Sequence, residues 1–221
     1  MLHSVDTKYK LEGRWVHLWK NRDLQDLSMV RAAFTQLYAK YTAPDRGYHG
    51  IGHIEHGLNI FEEVRHLARF PDAVEVAWWY HDVIYDVHCN DNEQRSADYA
   101  EHDLSSFGES PTFMMKVHAN ILATRHEGGL VDTDEQLICD IDLSSFGGSW
   151  NDTIRNSRGI RFEYRHVPER EYVASRRAIL GNFLRRKTIY YLPFFIDCFE
   201  IAARENIMHE IEVLPELVGH P

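Results

Sequence analysis

Cysteine is scarce in this chain: Cys89, Cys139 and Cys198 form an odd set without CxxC spacing, which excludes a disulfide framework and a thiolate zinc site. No run approaches the roughly 18 to 20 apolar residues of a spanning helix, so a membrane is not an expected partner. The opening MLHSVDTKYKLEGR carries no apolar stretch of the signal-peptide kind, and the expected location is the cytoplasm. Positive charge is also in deficit, with 24 Lys and Arg against 34 Asp and Glu and a net charge of −10. No whole-chain positive field exists to attract a nucleic acid polymer or an anionic lipid surface. Any phosphate handled here must meet local cations or a metal. A P-loop, a dinucleotide glycine fingerprint, internal repeats and Ser/Pro-rich linkers are all missing.

What is present is enough apolar material for a substantial core, 44% of residues with 12% aromatic, and the 221 residues read as one domain, 1–221. Apolar positions recur with a period near 3.6 and rarely alternate, which predicts an all-α fold. The expected helices cover 7–20, 27–42, 52–69, 72–86, 92–105, 111–127, 133–146, 149–164, 169–186 and 194–209. Pro71, Pro111, Pro168 and Pro193 fall at expected starts, and Gly108, Gly128 and Gly147 follow expected ends. The aromatic run IYYLPFFIDCF is interrupted by Pro193 and Asp197 and reads as core packing.

Histidine is concentrated. Seven of the 14 histidines lie between His49 and His102, where an even spread would put about 3 or 4. On a helical wheel, Ile54, Leu58, Phe61 and Val64 share one arc with His53, while His56 sits at its edge and His66 points away. The next segment, AVEVAWWYHDVIYD, is apolar on every side and reads as a central helix, interrupted by His81 and Asp82 where unpaired polar groups are costly. Its His-Asp pair differs from His102-Asp103, which lies in a polar stretch and reads as a solvated helix end. Two neutral imidazoles and a carboxylate from adjacent helices can converge on one divalent cation, with a further aspartate completing the set. A buried His–Asp hydrogen bond without a cation is the alternative.

The segments YHGIGHIEHGL, AWWYHDVIYD, DNEQRSA, ILATRHE and DIDLSSFG resemble, in order and spacing, the predicted metal-dependent phosphohydrolases of the HD superfamily. The resemblance is to the subgroup with a YHxxxHI, HDxxYD, DNExxSA pattern. It continues through RFEYRHV, RRAILGNFL and IYYLPFF to EIAARENI, about residues 30 to 208. It implies a single HD-type helical bundle of about ten helices, with the motifs in about 30–146 and further helices from 149 to 209 packed on them.

The resemblance implies that His53, His81, Asp82 and Asp142 hold a divalent cation, with His49, His56 and Asp140 as alternates. Between Asp140 and Asp142 the helical wheel does not decide. Mn, Fe, Co, Ni or Zn would suit two imidazoles and two carboxylates, Mg is also compatible, and a second metal is left open. The implied reaction is hydrolysis of a phosphate ester or anhydride of a small molecule, with nucleotides and related metabolites the favoured class. Glu93, or failing it Asp86, is the implied acid. Asp91 capping the following helix, with Gln94 reaching back, would explain the same stretch without catalysis. His126 would contact phosphate or a second metal, and Arg125 and Arg95, with Arg161, Arg165 and Arg176 nearby, are the local cations for phosphate. Two rival classes are a di-iron oxygenase on the same fold and a non-catalytic nucleotide or metal sensor.

Overall fold

Local capping sets many of the helix ends. Ser110 accepts from the Phe113 amide ahead of Pro111, Asp132 from the Asp134 amide, and Ser149 from the Asp152 amide, which start three helices. The computed structural model describes residues 5–22, 24 and 26–218. They form α1 (Val5–Asn21), α2 (Ser28–Tyr41), α3 (Ile51–Val64), α4 (Pro71–Tyr80) and α5 (Asn92–Ser106), followed by α6 (Pro111–Ala123) and α7 (Thr133–Leu143). The chain ends in α8 (Trp150–Glu163), α9 (Glu169–Arg185) and α10 (Pro193–Val218). Among the described residues there is no strand, as the 3.6 period predicts.

The central helix is α4, in which every residue from Ala73 to Tyr80 is buried. Helices α3, α5, α6 and α7 pack around it. Its one charged residue in that span, Glu75, is held by Arg14 of α1 at 2.7 Å and by Arg65 just beyond α3, so the buried carboxylate has two cations. Trp15 meets Trp79 edge to face at 5.5 Å and donates from Nε1 to the Val30 carbonyl, locking α1 and α2 onto α4. One apolar cluster runs from Leu11 to Ile207, and Ile189, Tyr190 and Phe195 of the aromatic run belong to it. No described helix is long and apolar enough to cross a membrane.

Several expectations need correction. The helix expected over 72–86 stops at Tyr80, although Val83 and Ile84 continue the apolar pattern. The chain turns because side chains from elsewhere satisfy its backbone: Arg46 donates to the Asp82 and Val83 carbonyls at 2.8 and 3.1 Å, and Ser96 Oγ accepts from the Ile84 amide. The helix expected over 111–127 ends at Ala123, and His126 has a left-handed backbone with φ 57°. His102 is exposed near the end of α5, as expected, but Asp103 is half-buried and accepts from the Tyr80 hydroxyl at 3.0 Å. In addition, α10 extends to Val218, and Asp91 makes no capping bond while Gln94 bonds Asp98 instead.

Candidate metal centre

His53 lies in the first turn of α3, on the arc that faces α4, and its side chain is 1% exposed. His81 is the first residue beyond α4. Its Nδ1 lies 2.9 Å from the Trp78 carbonyl and its ring stacks on the Trp78 indole at 4.3 Å. A carbonyl only accepts, so Nδ1 carries a proton, and whenever the ring is neutral its lone pair is at Nε2. That atom faces His53 Nε2 at 3.2 Å.

Two carboxylates join them. Asp82 Oδ2 is 3.2 Å from His81 Nε2 and 3.8 Å from His53 Nε2, and Asp142 Oδ1, from α7, is 3.1 and 3.9 Å from His53 and His81 respectively. His53, His81 and Asp82 offer three ligand atoms within 4.8 Å of one another. A divalent ion with bonds near 2.1 Å sets its neighbouring ligands about 3.0 to 3.4 Å apart, a range that holds three of the five separations, while Asp82 to His53 and Asp142 to His81 are longer. The donor set therefore fits a borderline transition cation. The fixed proton on His81 Nδ1 strengthens the fit, because it is the outer hydrogen bond that orients a metal-ligating imidazole.

The electrostatics also call for positive charge at this point. Burial disfavours the charged form of all four groups. Even so, the neighbouring imidazoles hold the Asp82 and Asp142 carboxyls below the ordinary range. Burial pulls the His81 imidazole down, but the Asp82 carboxylate outweighs it and raises His81 to about 9. His53 is lowered, by burial and with His81 beside it. A proton shared at the cluster, or a metal cation, would answer the same two carboxylates.

The two aspartates of DIDL point to different places. Asp142 gives Oδ1 to His53 and Oδ2 to His126 Nε2 at 2.7 Å. Asp140, fully buried, accepts the Tyr191 and Leu192 amides at 2.8 and 2.7 Å and anchors that loop instead of the cluster. His126 has its carbonyl held by Arg186 at 2.6 Å, and its buried Nδ1 is without a partner.

His49 and His56 are also separated. His56 bonds Ser144 Oγ at 3.0 Å and lines a second cavity of about 760 Å³, which His53 of the cluster also lines. His49 reaches the cavity of the cluster, held through Nδ1 by Glu163 at 2.8 Å and stacked on Tyr85. Glu163 of α8 is a residue that sequence reasoning missed. Its Oε1 accepts the Gly47, Tyr48 and His49 amides, each at 2.8 Å, and so fixes the entry to α3.

The cluster opens into a cavity of about 480 Å³ whose wall includes Glu93, Arg125 and Arg176 among apolar and aromatic groups such as Tyr85 and Phe183. Arg125 Nε is 3.9 Å from Glu93 Oε2. Two expected residues are not brought there. The Asp86 carboxylate accepts from the His88 amide and the Cys89 thiol of its own loop, and Arg95 is largely exposed, 3.9 Å from Asp91. Neither lines the cavity.

No family model, curated protein or solved structure matches this chain.

Proposed function

We propose that this chain is a metal-dependent phosphohydrolase of the HD type, acting on a small phosphorylated molecule, with nucleotides the favoured class. One observation carries the reading: two buried imidazole Nε2 atoms meet at 3.2 Å between two carboxylates, at the wall of a cavity that also holds an acid and two arginines. In the reading, His53, His81, Asp82 and Asp142 hold one divalent transition cation. When bound, such a cation supplies Lewis-acid polarisation of the phosphoryl group and makes nearby water more acidic. Arg125 fixes phosphate oxygens through its guanidinium, and the apolar wall around Phe146 and Phe183 limits water. Glu93 moves a proton to the leaving oxygen from its carboxyl group. Asp86 and Arg95 have no part in this proposal.

The test is direct. Chelated protein titrated with Mn²⁺ should bind the ion calorimetrically, and the loaded protein should release phosphate from members of a panel of nucleotides and sugar phosphates. Asp82→Ala should lose both, and Glu93→Gln should keep the ion while turnover falls about 100-fold or more. Normal turnover by Asp82→Ala after thorough chelation defeats the proposal.

A second reading rests on His126. Because Asp142 divides its two oxygens between His53 and His126, the same carboxylate reaches a further imidazole. Two irons per chain, with oxygen consumption in place of phosphate release, would favour the oxygenase class.

A further inference from the structure

The cavity has a second polar pole, built by helices that contribute nothing to the His–Asp cluster. Arg176 and Tyr172, one turn apart on α9, both line it, together with Ser175 and with Glu210 of α10. Arg176 is nearly buried, with its side chain 11% exposed, and its Nε bonds Glu210 Oε1 at 3.0 Å; the Glu210 side chain is 1% exposed. Among the described residues that is the one hydrogen bond of this guanidinium, so Nη1 and Nη2 have no protein acceptor. The Tyr172 hydroxyl is the second observation. Tyr172 is 5% exposed, yet its hydroxyl is buried with no hydrogen-bond partner. Burying such a group unpaired is unfavourable, and a ligand oxygen accepting from it would recover that cost.

Charge at this pole is balanced, with two arginines and two glutamates acting on Tyr172. Glu210 offsets Arg176, but Arg161 lies with its guanidinium 4.9 Å from the Tyr172 ring centroid, donates to the Tyr164 carbonyl, and has no carboxylate partner among the described residues. Glu163 is the second carboxylate acting on Tyr172, so two cations face two carboxylates and the attraction for an anion comes from the unpaired Nη1 and Nη2 of Arg176 and the Tyr172 hydroxyl, not from a net charge. Glu210 also holds the Arg176 fork in place, so little side-chain freedom is lost when an anion binds.

We infer that Arg176, with the Tyr172 hydroxyl and Ser175, forms an oxyanion subsite distinct from the His–Asp cluster. It takes the non-reacting anionic end of a substrate that carries a second phosphate or carboxylate. The inference deepens the hydrolase reading and rests on it for the word substrate; the subsite itself does not need that reading. The substrate class is then a small molecule with two anionic groups, one at the cluster beside Arg125 and one at Arg176, joined across the apolar wall of Ile160, Ile179 and Phe183.

The probe is inorganic phosphate, titrated calorimetrically into the full chain after chelation. Arg176→Ala would strand the buried Glu210 charge and unfold the protein for reasons of its own, so the pair is replaced together as Arg176→Met with Glu210→Gln. Tyr172→Phe removes only the hydroxyl. Metal-free wild type should bind phosphate, Tyr172→Phe should bind it about 10-fold more weakly, and the double variant should lose it. Phosphate binding that is absent in the wild type, or unchanged in the double variant, overturns the subsite. If phosphate binds as described but Mn²⁺-loaded wild type releases none from the substrate panel, the hydrolase reading falls and the oxyanion subsite stands.

Discussion

Gly57 of α3 lies so close beneath the indole of Trp78 that any Cβ at position 57 would overlap the ring. The contact matters to the cluster because Trp78 ties several of its parts together. It donates from Nε1 to the Ile54 carbonyl at 3.0 Å, stacks on His81, and accepts the His81 Nδ1 proton. An alanine inside an exposed helix would gain about 1 kcal/mol over glycine, but here the overlap reverses the sign. Gly57→Ala should destabilise the fold by on the order of 2 kcal/mol and weaken Mn²⁺ binding, as measured by urea unfolding and metal titration. A more stable variant would mean that the ring moves aside at no cost.

Two aspartates separated by one residue should fail in opposite ways. Asp140 holds two amides of the loop before α10, so Asp140→Ala should lower stability by about 2 to 3 kcal/mol while the surviving folded protein still binds Mn²⁺. Asp142→Asn should remain folded, since its partners are the imidazoles of His53 and His126, and should lose the ion. Urea unfolding and metal titration of both variants separate the two roles, and metal loss in Asp140→Ala would undo the assignment.

The helical character of the chain was legible because apolar residues repeat every 3.6 positions and proline marks several starts. His53 was legible for the same reason: it shares an arc with Ile54, Leu58 and Phe61. The wheel could not separate Asp140 from Asp142, because what divides them is the Tyr191–Leu192 backbone some fifty residues later. The end of α4 was hidden likewise, since the apolar pattern runs on while Arg46, 36 residues earlier, takes the Asp82 carbonyl. Gly57, Glu163 and Glu210 carry no local signal at all. A glycine in mid-helix looks merely unfavourable until its tertiary neighbour is known, and a glutamate on a polar helix looks solvated. The helix expected to reach residue 127 illustrates the other limit, for nothing in TRHEGG says that the histidine itself takes the left-handed turn.

Glu163 and His49 should give the entry to α3 a characteristic pH dependence. Burial opposes charge on both. The His49 hydrogen bond nevertheless takes Glu163 below its ordinary 4.5, and Glu163 takes His49 above its ordinary 6.5. A depressed carboxyl contributes stability above its unfolded pKa and loses it as pH falls through the folded one. A raised histidine contributes below its unfolded pKa and loses it as pH rises through the folded one. The ionic contribution is therefore greatest between about pH 4.5 and 6.5 and declines on either side. The difference in melting temperature between wild type and Glu163→Gln, followed across pH, should peak in that window. A difference that is flat with pH would show that the three loop amides account for all of the effect of Glu163.

His126 should show stability and function in competition. Its φ of 57° is a conformation that costs a residue with a Cβ about 1 to 2 kcal/mol, and that conformation carries the ring whose Nε2 meets Asp142. Arg186, bonded to its carbonyl, helps to hold the backbone there. Replacement by alanine keeps the backbone cost and removes the ring, whereas glycine removes both. His126→Gly should therefore be more stable than His126→Ala by about 1 kcal/mol in urea unfolding, although glycine also has more freedom to lose on folding. Both variants should show the same deficit in phosphate release, because both lack the imidazole. Equal stability would mean that the chain relaxes out of the left-handed region once the ring is gone, and that the Asp142 contact, not the fold, imposes the strained turn.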